Sequence, residues 1–191
     1  MLSGRRLDLL DPSPLDVELE DIAHGLARVA RWNGQTLGAH AFSVAQHTLL
    51  VDEIAQATSP DMDSNGRLAL MLHDAPEYVI GDMISPFKLL IGGDYRVVEQ
   101  RLLSAIHRRF GLKTPLTTKL NEKIKSADRI AAYYEATRLA GFDETEAVRY
   151  FGRPRGVDPD WLDLTPWPAA VAEECYTERL LALVAATPRP A

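Results

Sequence analysis

Apolar residues along the chain recur at three- and four-residue steps, the period of helices that bury one stripe. Leu19, Ile22, Ala23, Leu26, Val29 and Ala30 predict a first helix from Glu18 to about Trp32, ended by Asn33-Gly34. Ser43 is placed to cap a second helix, Val44 to about Ala57, with Val44, Leu50, Val51, Ile54 and Ala55 facing inward. A polar turn from Ser59-Pro60 to Gly66 precedes a third helix, Arg67 to Ala75. Pro76 should interrupt it, because proline lacks an N–H and crowds the carbonyl four residues back. Gly81-Asp82 and Ser85-Pro86 mark irregular backbone. Longer periodic runs follow at Asp94–Phe110 and at Thr118–Ala140, each closed by a glycine, Gly111 and Gly141. Residues 142–166 hold Gly152, Pro154, Gly156, Pro159 and Pro166, with room for a helical turn near Glu144–Tyr150, and a last helix is expected from Trp167 to Ala186.

No alternating run is long enough to predict a sheet, and no segment repeats, so the expected class is all-α. Pro12 and Pro14 make residues 1–18 an extended lead-in. Residues 19–186 are then a single helical domain and 187–191 a tail.

Three places break the apolar stripes with groups able to bind a metal. His47 lies three after Val44 and four before Val51, and Asp128 lies four after Ile124 and three before Ala131, so both point with the core. His73 and Asp74 end the run Leu70-Met71-Leu72 on what reads as a helical face. A buried polar group without a partner costs about 1–3 kcal/mol. One shared divalent cation would relieve all four groups, since two neutral imidazoles and two carboxylates carry the balancing charge. Nitrogen and oxygen donors without sulfur suit Co, Mn, Ni, Fe, Zn or Mg. The competing reading of any single inward histidine is a hydrogen-bonded core residue; the signal is the conjunction of three segments.

Glu77, four after His73, stays on the same side if helical geometry survives Pro76, where a carboxylate can take or return a proton. Arg31 and Trp32 sit at the expected end of the first helix. Arg31 offers a planar fork of donors suited to phosphate, or else simply favours a helix C-terminus. Trp32 reads equally as core, and Asp82 as a turn residue after Gly81. Lys88 reads as solvated surface, whereas Lys125, three before Asp128, is placed to approach the site. His107 offers no second ligand nearby, so one metal is expected rather than two.

The 191 residues are 46% hydrophobic and 25% charged, an ordinary globular mix, with net charge −6. That balance argues against a nucleic-acid polymer as partner, though not against a small anion held by local cations. Lone Cys175 excludes an internal disulfide and favours a reducing compartment. Arg5, Arg6 and Asp8 interrupt the N-terminus before a signal-like run develops, and no apolar stretch nears membrane-spanning length. The expectation is a cytoplasmic protein without a membrane partner.

Ser43-Val44-Ala45-Gln46-His47, then Leu72-His73-Asp74-Ala75-Pro76-Glu77-Tyr78-Val79-Ile80-Gly81-Asp82, then Lys125-Ser126-Ala127-Asp128 resemble an HD-domain metal-dependent phosphohydrolase, over about residues 19–140. More narrowly, with Arg31-Trp32 upstream, they are similar to the bacterial 5′-deoxynucleotidase branch. The resemblance implies an HD-type helical bundle, often a homodimer, that releases phosphate from deoxynucleoside 5′-monophosphates. It implies one divalent metal on His47, His73, Asp74 and Asp128, with Glu77 acting on water or leaving group. Arg31 would grip the 5′-phosphate, Trp32 would pack on the sugar, and Asp82 would sit near the 3′ hydroxyl. Gln46 departs from the pattern, standing where close family members often have glutamate. Two rival readings share the site: hydrolysis of a nucleoside triphosphate or pyrophosphate, and a regulatory module that binds nucleotide without turnover.

Overall fold

A computed structural model describes residues 1–187, the side chains of residues 85, 86 and 89 aside; all of the expected tail except Thr187 lies outside the described residues. The α-helices are α1 (Leu19–Leu26), α2 (Val44–Thr58), α3 (Ser64–Met71), α4 (Glu77–Ile80), α5 (Ser85–Ile91), α6 (Gly93–Arg109), α7 (Thr118–Arg138), α8 (Glu144–Phe151) and α9 (Ala169–Ala186). Short 3₁₀ turns occur at Pro14–Asp16, Arg31–Gly34 and Pro159–Trp161. Among the described residues the only β-type pairing is an isolated antiparallel bridge between Ala30 and Ser43. The protein is a single all-α domain.

Side-chain caps set several helix starts. Ser43 accepts from the Gln46 N–H, Asp63 from Gly66, Thr117 from Leu120 and Asp143 from Glu146. Each stabilises its helix by about 1 kcal/mol. α7 lies along α2 and meets α8; α9 packs on α1, α2 and α3; α1 packs on α4. Phe42, Ile22, Leu26, Ile54, Leu68, Leu70 and Tyr176 are fully buried between them. Asp52, buried on α2, accepts both arms of the Arg67 fork from α3 and Nε of Arg179 from α9 at 2.7–2.9 Å, which ties three helices together.

Several boundaries differ from expectation, α3 among them at both ends, since it begins at Ser64 rather than Arg67. α1 stops at Leu26 instead of running to Trp32, because Val29–Arg31 turns to the strand-like segment before α2: Arg31 N–H donates to Phe42 C=O at 2.8 Å and Val44 N–H to Val29 C=O at 3.0 Å. α3 ends at Met71, so Leu72–Pro76 is a run of turns, and the break at Pro76 is followed by the separate α4. α5 occupies a region where only irregular backbone was expected. The last helix begins at Ala169, since Pro168 sits at its cap.

Candidate metal centre

α2 and α7 meet side by side at His47. The buried imidazole places Nε2 3.3 Å from Asp128 Oδ1 and 3.5 Å from Asp74 Oδ2, while Nδ1 lies 2.5 Å from Glu135 Oε1. Asp128 and Glu135 are seven residues apart, two turns of α7, and so reach the same imidazole from one helix.

His73 and Asp74 arrive differently from the sequence expectation. They lie in the turn beyond α3, not on its helical face. Carbonyls of the last turn of α3 hold the following turn in place: Leu70 C=O accepts from His73 N–H at 3.1 Å and from His73 Nδ1 at 2.7 Å, and Met71 C=O accepts from the Tyr176 hydroxyl at 2.6 Å. His73 Nε2 then lies 3.2 Å from Asp74 Oδ2, with its ring centroid 5.7 Å from that of His47.

The Leu70 carbonyl can only accept, so His73 carries its proton on Nδ1 and, when neutral, presents a lone pair at Nε2. Glu135 favours the same tautomer of His47. Both Nε2 atoms are buried and neither makes an aligned hydrogen bond. One donor atom each from His47, His73 and Asp128 lies within 4.8 Å of the others, a group that could hold an ion; the expected fourth ligand, Asp74, stands outside that group, with Oδ2 3.5 Å and 3.2 Å from the two Nε2 atoms. Two orphaned imidazole nitrogens beside two carboxylates, each imidazole braced on its other nitrogen, fit a divalent cation in both donor chemistry and charge.

The electrostatics express the same demand for positive charge. Burial and the Arg31 guanidinium depress His47, yet Glu135, Asp128 and Asp74 outweigh them and hold its pKa well above the usual imidazole range. Burial raises Asp74, but the two imidazoles pull its pKa well below the ordinary carboxylate value. Glu135, despite complete burial, is held down to about 2 by Arg31, His47 and the Trp32 N–H.

Arg31 and Trp32 occupy a 3₁₀ turn rather than the end of a helix, so no helix dipole accounts for Arg31. Arg31 Nε and one terminal nitrogen each reach Glu135 Oε2 at 3.2 Å, and its other terminal nitrogen is 3.7 Å from Asp82 Oδ2. Trp32 Nε1 donates to the same Glu135 oxygen at 2.9 Å, and its ring meets Phe142 and Phe151 edge-on. Trp32 has φ +56° and Asn33 φ +53°, left-handed backbone that costs about 1–2 kcal/mol for a side-chain-bearing residue. The Glu135 bond and aromatic packing hold it there. Asp82 is largely buried, so it is more than a solvent-facing turn residue.

Glu77 is buried at the start of α4, with Oε2 unpartnered. Burial, then Asp74 and Asp82, push its pKa up to about 9. Lys88 is not free surface: its Nζ is 3.7 Å from Glu77 Oε1 and 3.2 Å from Glu99 Oε1. Lys125 is exposed. Gln46 explains itself, since its amide donates to Thr165 C=O at 2.7 Å and accepts from Trp167 N–H at 3.0 Å, a pair of roles an ionised glutamate cannot fill. Glu135 was missed by the sequence reading. Its signal was a carboxylate two turns beyond Asp128 inside the apolar run Ala131–Ala136.

Fold and site together define an all-helical protein with a His–Asp cluster, its imidazoles more buried than its aspartates, braced by a buried glutamate. The chain is 52% identical over 179 residues to an uncharacterized protein of Rhodobacter capsulatus, across 94% of this chain and 91% of the relative, and it belongs to that protein's family. No family model matches the chain. Among the described residues, no helix is long and apolar enough to cross a membrane.

Proposed function

We propose that this protein is a metal-dependent phosphohydrolase of the HD-domain kind, removing phosphate from small nucleotides, foremost deoxynucleoside 5′-monophosphates. The observation that carries this reading is the pair of buried, unpartnered Nε2 atoms on His47 and His73 converging on Asp74 and Asp128. A divalent ion held by those four residues would supply Lewis acidity toward a phosphate ester.

The chain's own groups supply the remainder. Glu77 is buried three residues beyond Asp74, and its unpartnered oxygen is able to hold or return a proton during ester cleavage. Arg31 keeps donors on the terminal nitrogen nearest Asp82, and these suit a phosphate oxygen. Glu135 fixes Arg31, Trp32 and His47 at once, so the phosphate-facing and metal-facing groups are aligned by one side chain.

Charge balance favours a monophosphate over a triphosphate. The cations around the centre, Arg31 and Lys88, are already matched by Glu135, Asp82 and Glu99, leaving little positive surplus for a longer phosphate chain. Lone Cys175 supports a cytoplasmic setting. The test is phosphate release from dAMP by purified protein with Co or Mn added, alongside Asp74→Ala. We expect turnover in the parent protein, and loss of both metal and activity in the variant. Full turnover in Asp74→Ala would remove the centre from the chemistry, and pyrophosphate released from dATP in place of phosphate from dAMP would move the substrate to the triphosphate.

A further inference from the structure

A groove of about 330 Å³ opens between α7 and the loop that follows α8, lined by Arg129, Arg153 and Arg155, with the hydroxyls of Thr58 and Ser126 in its wall. It shares no residue with the metal centre. Elsewhere Arg5, Arg28, Arg31, Arg67, Arg109 and Arg179 each meet a carboxylate, while among the described residues Arg6, Arg96, Arg101, Arg108, Arg138 and Arg149 do not and line no part of this groove. Among the described residues the three groove arginines meet none, and the side-chain bond formed by this trio is Arg129 Nε to the Lys125 carbonyl at 3.2 Å. In a chain of net charge −6, three unmatched guanidiniums around one cavity are a local reversal of sign.

The loop backbone brings Arg153 and Arg155 to the same cavity as Arg129. Gly152, with φ +79°, ends α8; Pro154 fixes its own φ between the two arginines; Gly156, with φ +75°, lies against Thr58. Like charges held together repel, and a bound anion reverses that cost. Guanidinium forks and hydroxyls are the donors that phosphate oxygens accept from. The cavity is larger than one phosphate requires, and Ile130 and Phe151 add an apolar wall, so its occupant has an organic part as well as a charged one.

We propose that this groove binds a small organic phosphate, with the phosphoryl group on Arg129, Arg153 and Arg155 and the organic moiety against Ile130 and Phe151. Intact protein kept in EDTA is titrated by calorimetry with AMP, adenosine and inorganic phosphate. With no divalent metal present only binding is read, and the groove variants distinguish this site from the centre around His47. We expect AMP to bind more tightly than inorganic phosphate, and adenosine to give no saturable heat. Arg153→Gln with Arg155→Gln should weaken AMP binding at least about tenfold, as loss of charge-assisted hydrogen bonds requires. Both positions are exposed, so folding is preserved and is checked by circular dichroism. Arg96→Gln with Arg108→Gln, at exposed positions outside the groove, removes the same charge and should leave the AMP affinity within about twofold, a bound well below the loss of one hydrogen bond. Unchanged AMP affinity in the groove double variant, an equal loss in Arg96→Gln with Arg108→Gln, equal binding of adenosine, or no binding of AMP at millimolar concentration would each overturn the proposal.

Discussion

Glu135 Oε1 lies 2.5 Å from His47 Nδ1 while its second oxygen accepts from Arg31 and Trp32, so one fully buried carboxylate braces both halves of the candidate site. Two turns along the same helix, Asp128 faces the other nitrogen of that imidazole. A histidine gripped between two carboxylates of one helix is fixed in tautomer and in rotation, which ligand function requires.

Glu135→Gln tests that bracing. The amide keeps the shape but removes the charge that offsets Arg31 and favours the Nδ1-protonated imidazole. We expect cobalt affinity, measured by competition with a chromophoric chelator, to fall about 10- to 100-fold. Urea unfolding should show a loss of about 3 kcal/mol, the scale of a broken buried pair. Unchanged cobalt affinity would mean that Glu135 has no orienting role.

Tyr176→Phe addresses the turn that carries His73. The hydroxyl of this buried tyrosine satisfies the Met71 carbonyl at the end of α3, two residues before His73. Its removal leaves that carbonyl unpaired and should cost about 1–2 kcal/mol in urea unfolding. Metal affinity should drop with it, by about tenfold at most, because the Leu70 bond to His73 remains. A variant as stable as the parent would mean that water replaces the hydroxyl there.

The parts of this architecture that follow a period were legible in the sequence. His47 could be placed among Val44 and Val51, and Asp128 between Ile124 and Ala131, because each sits inside an unbroken helix. What escaped depended on partners distant in the chain. The early end of α1 is set by backbone bonds from Val29–Arg31 to Phe42–Val44, and such pairing leaves no local trace. The turn holding His73 and Asp74 follows from Tyr176, about a hundred residues away. Lys88 looked like surface because Glu99 and Glu77 reach it from different elements. Glu135 was readable in principle, but a glutamate in a helix is so common that only its apolar neighbours distinguish it.

His107 gives an acid-sensitive contribution separate from the metal centre. It is buried on α6 with Nε2 unpartnered, and burial lowers its pKa from 6.5 to about 4. The unfolded chain therefore binds the proton more readily than the folded one. The stabilising contribution is full above about pH 6.5 and is lost as pH falls toward about 4, a span worth about 3 kcal/mol. His107→Leu should flatten that part of the profile. Urea midpoints of the two proteins, compared at neutral and at mildly acid pH, should separate in favour of the variant as acid is added. Parallel profiles would show that His107 takes up its proton at the same pH in the folded and unfolded states.

Gly25→Ala should move Glu77 and Asp82, the groups proposed for catalysis and substrate binding, without touching them. Gly25 is in α1, where it faces α4, the short helix that begins with Glu77. A methyl group at that position would sit 2.8 Å from Tyr78 Cβ and 3.0 Å from the Tyr78 carbonyl oxygen. Much of what it meets is backbone, so relief comes from sliding α4 outward rather than from turning a side chain. Overpacking of this kind costs about 1–3 kcal/mol. The displaced element carries Glu77 past Asp74 and leads into Asp82, whereas His47, Asp128 and Glu135 stand on α2 and α7 and stay in place. The expected signature is thus asymmetric: kcat for nucleotide hydrolysis falls tenfold or more, in line with displaced acid–base catalysis contributing about 100-fold or more, while cobalt binding changes far less. Equal losses in both would indicate that α4 and the metal-holding turn move as one body, and unchanged kcat would place Glu77 outside the chemistry.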